Sequence, residues 1–259
     1  MTDGLRGRTA LVTGSTGGIG LAVAEALAAA GAGLLLHGLA STAEAAPVVA
    51  GLAARHGVPV RYHPAELARP AEIAAMLAAA GEVDILVNNA AARHFAPVEA
   101  MPPEAWDEDV AVNLSAAFHL IRLTLPGMRR RGWGRIVNMA SIYGLIGARD
   151  RIGYVTTKTA LIGLTRAVAL ETAESGITCN ALCPGSTLTP NIDGRIRAAM
   201  AAEGTDRATA EARFLAGKQP TGRFVEAAAI AAMVAMLCGP AGRDITGAVL
   251  PLDGGWSAA

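Results

Sequence analysis

The stretch that most narrows the possible folds lies near the start of the chain. Thr9-Ala10-Leu11-Val12 reads as a short buried strand. It runs into Thr13-Gly14-Ser15-Thr16-Gly17-Gly18-Ile19-Gly20 and then into a helical stretch from Leu21 to Ala30. In a strand, a glycine-rich turn and a helix start, glycines let the backbone approach an anion, and the helix start offers free N–H groups and a partial positive charge. A tight strand-to-helix connection alone would also use glycine, but Gly14, Gly18 and Gly20 form the narrower spacing Gly-x-x-x-Gly-x-Gly.

The same alternation continues along the chain. Residues 34–36, 58–62, 83–87, 135–139, 177–182 and 248–250 read as strands, and 42–56, 70–80, 103–131, 155–174 and 226–238 as helices. Short, continuously apolar strands between helices predict a parallel sheet buried on both faces, and right-handed crossovers make it doubly wound. No repeat or composition break divides the 259 residues, so a single α/β domain over 1–259 is expected. Residues 187–223 depart from the alternation. They are charged, alanine-rich and punctuated by glycines, and they follow Pro184-Gly185 at the carboxyl end of a strand, where ligands bind in such sheets. They read as a helical lid, with an ordinary surface helix pair as the alternative.

Composition excludes several classes. With 22 basic and 22 acidic residues the net charge is zero, which gives no reason to expect nucleic acid or an anionic membrane as partner. No charged leader with an apolar stretch and cleavage site opens the sequence, and no apolar segment reads as long and uninterrupted enough to span a bilayer. Cys179 and Cys183 are about 13 Å apart along an extended chain, too far for a disulfide, and zinc spacing is missing. Buried reduced thiols in a cytoplasmic protein are expected.

The strongest chemical signal is Tyr154-x-x-x-Lys158 with Ser141 upstream. The spacing puts phenol and ammonium one helical turn apart on one face. A phenol titrates near 10, and a nearby ammonium lowers that value. A serine hydroxyl can hold the oxygen of an alcohol or carbonyl. Together they make a proton-transfer site for an alcohol, next to a place for a hydride acceptor.

Thr13-Gly14-x-x-x-Gly18-x-Gly20, Asn88-Asn89-Ala90, Asn113, Ser141, Tyr154-x-x-x-Lys158 and Pro184-Gly185 resemble the short-chain dehydrogenase/reductase superfamily, over Gly7 to Trp256. The stretches 94–98, 113–119, 125–128, 169–172 and Asp253-Gly254-Gly255-Trp256 resemble its 3-hydroxybutyrate dehydrogenase branch more closely. The resemblance implies a Rossmann-type sheet of seven strands in the order 3-2-1-4-5-6-7 and a homotetramer built through the helices at 103–131 and 155–174 and the last strand. It implies hydride transfer between a secondary alcohol and a nicotinamide dinucleotide, without a metal. Tyr154 would be the acid/base, and Lys158 would lower its pKa and bond the nicotinamide ribose. Ser141 would hold the substrate oxygen, and Asn113 would kink its helix and hold a relay water. The dinucleotide would contact Gly14, Ser15, Thr16, Gly18, Ile19, Gly20, Gly38, Leu39, Glu66, Leu67, Asn89, Ala90, Ala91, Tyr154, Lys158, Pro184, Gly185, Thr187 and Thr189. Ala91 replaces the usual glycine of Asn-Asn-Ala-Gly, a change tolerated if φ there is negative.

The second strand ends His37-Gly38-Leu39-Ala40-Ser41, with neither the acid that holds ribose hydroxyls nor an arginine for a 2′-phosphate. The resembling hydroxybutyrate enzymes have a neutral step there and use NAD, so NAD is expected; His37 could give a phosphate weak help.

The substrate pocket departs from the branch. Where that branch has glutamine, histidine, lysine and a second glutamine, this chain has Arg93, Tyr143, Arg151 and Arg195. A tryptophan after Pro-Gly becomes Ser186, while Trp256 remains, and His94 beside Arg93 either lines the pocket or packs. Three arginines offer forked hydrogen bonds to an anion and are costly to desolvate without one, the alternative being that one or more of them, Arg195 above all, point into solvent on the lid. An anionic hydroxy acid, dicarboxylate or acidic sugar derivative larger than 3-hydroxybutyrate is therefore expected. Alternatives are a 3-ketoacyl reductase, with Arg129-Arg130-Arg131 meeting an acidic carrier, a neutral sugar or polyol dehydrogenase, and a non-catalytic dinucleotide-sensing module.

Overall fold

The computed structural model describes residues 4–259. Seven strands form one parallel sheet: β1 (Thr9–Val12), β2 (Gly33–Gly38), β3 (Val60–Pro64), β4 (Ile85–Asn88), β5 (Gly134–Met139), β6 (Ile177–Pro184) and β7 (Val249–Leu252). Their order is β3-β2-β1-β4-β5-β6-β7, as the resemblance implied. β1 pairs with β2 (Ala10 opposite Leu34) and with β4 (Ala10 opposite Ile85), so the order reverses beside β1. Side chains alternate across the sheet because the strand period is two. Ala10, Val12, Leu34, Leu36, Ile85, Val87 and Met139 enter one core, with helices α1 (Gly18–Ala29), α2 (Thr42–His56) and α9 (Ala227–Cys238). Leu11, Leu35, Leu86 and Ile136 enter the other, with α3 (Pro70–Ala80), α5 (Ala116–Arg131) and α6 (Ile152–Glu171). Burial on both faces is why these strands read as continuous apolar runs rather than alternating ones.

Local chemistry sets the helix ends. Ser41 and Glu44 close a reciprocal cap on α2, matching its expected start. α6 begins at Ile152, three residues earlier than expected, which puts Tyr154 in its first turn. The expected helix over 103–131 is interrupted: α4 (Pro103–Val110) passes through a π-helical turn at Ala111–Ser115 before α5. Counted through that turn, Pro103–Arg131 is long enough to cross a membrane, and an 18-residue window within it reaches a mean hydropathy of 1.2, contrary to the expectation that no segment would. It nevertheless packs against α3, α6 and the sheet, and it carries Asp109 and Asn113 buried.

Buried polar groups pin the central elements. Asn88 Nδ2 donates to Asn138 Oδ1 (2.7 Å), and Asn138 Nδ2 donates to Thr165 Oγ1 (2.9 Å), tying β4 and β5 to α6. Beyond β6, α7 (Pro190–Glu203) and α8 (Arg207–Leu215) occupy the stretch that broke the alternation. Asp193 joins them, meeting Arg197 at 2.6 Å and Arg207 at 2.8 Å. Cys179, Cys183 and Cys238 are free and buried, and burial pushes their thiols up to about 12, 11 and 12.

Candidate active site

The glycine turn requires glycine for a measurable reason. A Cβ on Gly20 would stand 2.1 Å from the Gly14 carbonyl oxygen and 2.6 Å from Asn89 Nδ2, while Gly14 and Gly18 have φ of 61° and 55°. Asn89 Nδ2 donates to the carbonyls of Thr13 (2.9 Å) and Gly14 (3.1 Å), and Thr13 Oγ1 accepts from the amides of Asn89 and Ala90. No side chain caps the start of α1 at Gly17, so that helix end is open toward an anion. These features fit a dinucleotide pyrophosphate.

A cleft of about 1060 Å³ runs along the carboxyl ends of β1, β2 and β4, the place where ligands bind in such sheets. Its wall includes Gly14, Thr16, Ile19, Gly20, Gly38, Leu39, Glu66, Leu67, Asn89, Ala90 and Ala91, all among the residues that the resemblance assigned to the dinucleotide. Ser15 and Gly18 are not on that wall. Ser15 is fully buried, and its Oγ accepts from the His37 amide at 3.0 Å. Ala91 carries no strain, because Asp150 is the sole non-glycine residue with positive φ among the described residues.

His37 differs from its expectation. Its ring is buried, with Nδ1 accepting from the Gly14 amide (3.1 Å) and Nε2 donating to the Ala65 carbonyl (3.0 Å). Burial lowers its pKa, outweighing the hydrogen bond to Ala65, so the ring is neutral near pH 7. Both nitrogens are committed, and the ring holds the glycine turn rather than offering charge to a phosphate.

A smaller cavity of about 140 Å³ adjoins the cleft; Ile19, Asn89, Ala91, Arg93, Arg151, Thr189 and Arg195 line both. Tyr154, Lys158 and Ser141 meet on its wall, all buried, together with Pro184, Gly185 and Thr187. Burial raises the Tyr154 pKa, but the Lys158 ammonium, then Arg93, and hydrogen bonds from Ser141 and Arg93 lower it, and the net shift is downward. Burial likewise lowers Lys158, opposed by the Tyr154 charge; its Nζ donates to the Met139 carbonyl at 2.7 Å. Ser141 also caps the turn Ile142–Gly144, accepting from the Tyr143 amide at 3.2 Å. A phenol with this ionisation, touching a hydroxyl on a cavity wall, can take a proton from an alcohol.

Asn113 lies in the π-helical turn and is buried. Its Oδ1 accepts from the Ala92 amide (2.8 Å), and its Nδ2 donates to the Ala92 carbonyl (3.0 Å) and to Thr157 Oγ1 (3.2 Å). It thus binds the loop after β4 to α6.

Arg93, Tyr143, Arg151, Ser186, Arg195 and Trp256 all reach the small cavity. Arg93 Cζ is 4.8 Å from the Tyr154 ring centre, Tyr143 meets Tyr154 and Trp256 edge-on, and Trp256 sits in a turn capped by Asp253. His94 does not line either cavity. Its Nδ1 is 3.0 Å from Asp109 Oδ1 and its Nε2 is 3.6 Å from Glu108, so of the two readings it follows packing. Phe214 on α8 and Lys218 just after it stand on the small cavity's wall and were missed; nothing in their local sequence distinguishes them from other residues of an exposed segment. Of the arginine run, Arg129 Nη2 donates to the Glu171 carbonyl and Arg131 pairs with Glu82 and Asp84, so two of its three charges are already engaged.

Comparison with known proteins identifies this arrangement. The family model for short chain dehydrogenase matches residues 8–199. The chain belongs to the short-chain dehydrogenase family. A D-beta-hydroxybutyrate dehydrogenase of Cupriavidus necator is 44% identical over 98% of this chain and 99% of its own length, and one of Rhizobium meliloti is 41% identical over 97% and 99%. Among solved structures, L-sorbose reductase from Gluconobacter frateurii, complexed with NADPH and L-sorbose, superposes with a TM-score of 0.95 at 29% identity, covering 100% of both chains. A proposed NAD(P)-dependent gluconate 5-dehydrogenase from Beutenbergia cavernae with bound NADP gives 0.85 at 36% identity, covering 98% of each. This short-chain dehydrogenase is an oxidoreductase acting on CH–OH groups with a nicotinamide dinucleotide.

Proposed function

We propose that this dehydrogenase uses NAD to interconvert a secondary alcohol and a ketone in an anionic hydroxy acid or acidic sugar derivative larger than 3-hydroxybutyrate. The observation that carries the reading is the small cavity: Tyr154 and Ser141 share its wall with Arg93, Arg151 and Arg195, and no carboxylate lines it.

In this reading Ser141 holds the substrate oxygen by a hydrogen bond that strengthens as charge develops. Tyr154, poised by Lys158 and Arg93, removes the hydroxyl proton during oxidation and returns one during reduction. Lys158, desolvated beside it, keeps the phenolate favourable, and Asn113 holds the helix and loop that frame the pair. A nicotinamide bound beside Tyr154, with its dinucleotide along the glycine turn, Gly38, Leu39, Glu66, Leu67 and Asn89 to Ala91, would supply the hydride acceptor. Arg93 and Arg151 orient the substrate anion through forked hydrogen bonds. α7 and α8 act as the lid, with Thr189 capping the start of α7. The preference for NAD is supported by the wall from His37 to Ala40, which carries no cation and a neutral imidazole. Three buried free cysteines support a cytoplasmic setting.

A second reading, a neutral sugar or polyol dehydrogenase, is favoured by the likeness to L-sorbose reductase. Thermal-shift measurements with NAD and NADP, and turnover screened on hydroxy acids, sugar acids and neutral polyols, separate the two. The proposal expects a larger rise in melting temperature with NAD and turnover of acids, reduced in Arg151→Ala. Good oxidation of neutral polyols, unchanged in Arg151→Ala, would favour the second reading; a larger rise with NADP would overturn the cofactor assignment.

A further inference from the structure

The wall of the small cavity carries five cationic side chains, Arg93, Arg151, Lys158, Arg195 and Lys218, and no carboxylate. Lys158 is matched by the Tyr154 oxygen. The other four make no ion pair with a carboxylate among the described residues; each rests on an aromatic ring. Arg93 lies on Tyr154, and Arg151 lies 4.5 Å from the centre of Phe95 and 5.1 Å from that of Tyr143. Arg195 and Lys218 share the single ring of Phe214, at 5.4 Å and 3.8 Å.

These cations fall into two groups. Arg93 stands at the reacting end, and of the four it alone influences the Tyr154–Lys158 pair. Lys218 is held below its usual ionisation by burial and by the charges of Arg195 and Arg151, and Arg93 has no part in this. Lys218 is half-buried, with its Nζ also donating to the Phe214 carbonyl, and Arg195 on the same ring is exposed; with no carboxylate beside them the two like charges repel each other until an anion lies between them. A single carboxylate beside the reacting carbon engages one group and leaves the other uncompensated.

Resting on the anionic-substrate reading above, we propose that the substrate carries two anionic groups: one held by Arg93 near the reacting carbon, and a second held between Lys218 and Arg195 against Phe214. The substrate class is then a hydroxy dicarboxylate or a phosphorylated or doubly acidic sugar derivative. The lid supplies Arg195, and the segment after α8 supplies Lys218. The lid and that segment therefore read the far end of the substrate while Tyr154 and Ser141 read the near end.

The test is calorimetric binding of succinate, glutarate and adipate, each against the monocarboxylate of equal length, to the enzyme saturated with its preferred dinucleotide. At one chain length the dicarboxylate is expected to bind about tenfold more tightly. Lys218→Gln should erase that advantage while monocarboxylate affinity and the dinucleotide-induced thermal shift stay unchanged; Arg195→Gln should reduce it. Dicarboxylates no tighter than monocarboxylates, or an advantage that survives both substitutions, would overturn the second anion site and leave the anionic-substrate reading standing. No binding by any carboxylate, with neutral polyols turned over, would overturn both.

Discussion

Tyr154 ionises more easily than a free phenol although it is buried, because two cations and the Ser141 hydroxyl outweigh desolvation. Arg93 is the second of those cations and adds to the Lys158 device. Alcohol oxidation needs the phenolate, so the rate should climb with pH to the Tyr154 pKa and level off above it. Removing a cation raises that pKa. Arg93→Gln should therefore move the rising limb of the kcat–pH profile toward higher pH by about one pH unit; an unmoved limb would confine Arg93 to substrate binding. Tyr154, Lys158 and Ser141 were legible in the sequence because their chemistry depends on spacing within a helix or on a strand end, whereas Asn113 came from the family resemblance alone. Lys218 and Phe214 were not, because only the fold back of the chain after α8 brings them to a wall made by β4, β5 and α6. His94 misled for a related reason: the residue after a pocket arginine points the other way, toward Asp109.

At the scale of elements, the glycine turn depends on β2. His37 hydrogen-bonds both the turn and the loop after β3, and replacing it with leucine leaves the Gly14 amide and the Ala65 carbonyl unpaired. His37→Leu should cost about 1–3 kcal/mol of stability in denaturant titrations at pH 7.5. The pH sign follows from its lowered pKa. Between the folded value and about 6.5 the unfolded chain binds more protons, so stability is full above that window and falls as pH drops through it. The wild-type melting temperature should therefore decline more steeply below pH 6.5 than that of His37→Leu, and parallel declines would count against the ring being held neutral. Gly20→Ala should abolish the dinucleotide-induced thermal shift, since its methyl would overlap the Gly14 carbonyl oxygen. α2 and α3 were legible to the residue because a serine–glutamate cap and a proline at the first turn mark their starts. The π-helical turn lies where the family resemblance implied a kink at Asn113; local propensity does not mark it, and Asn113 there pairs with Ala92 in the loop after β4.

For the whole molecule, the sheet order follows from alternating apolar runs and helices once the family resemblance supplies the crossings. Phe118 on α5 and Leu170 on α6 are 47% and 81% exposed, large apolar side chains on the two helices proposed to bury them between copies. Light scattering on the purified protein should give a tetramer, and Leu170→Glu should shift it to smaller species; a monomer at all concentrations would contradict that assembly. The central claim is that one phenolic oxygen moves the proton at the alcohol while the dinucleotide is held elsewhere. Its most direct measurement is Tyr154→Phe, assayed for turnover and for the dinucleotide-induced thermal shift. The account predicts a loss of turnover of about 10²–10⁴-fold with the thermal shift intact; turnover within a few-fold of wild type would contradict it.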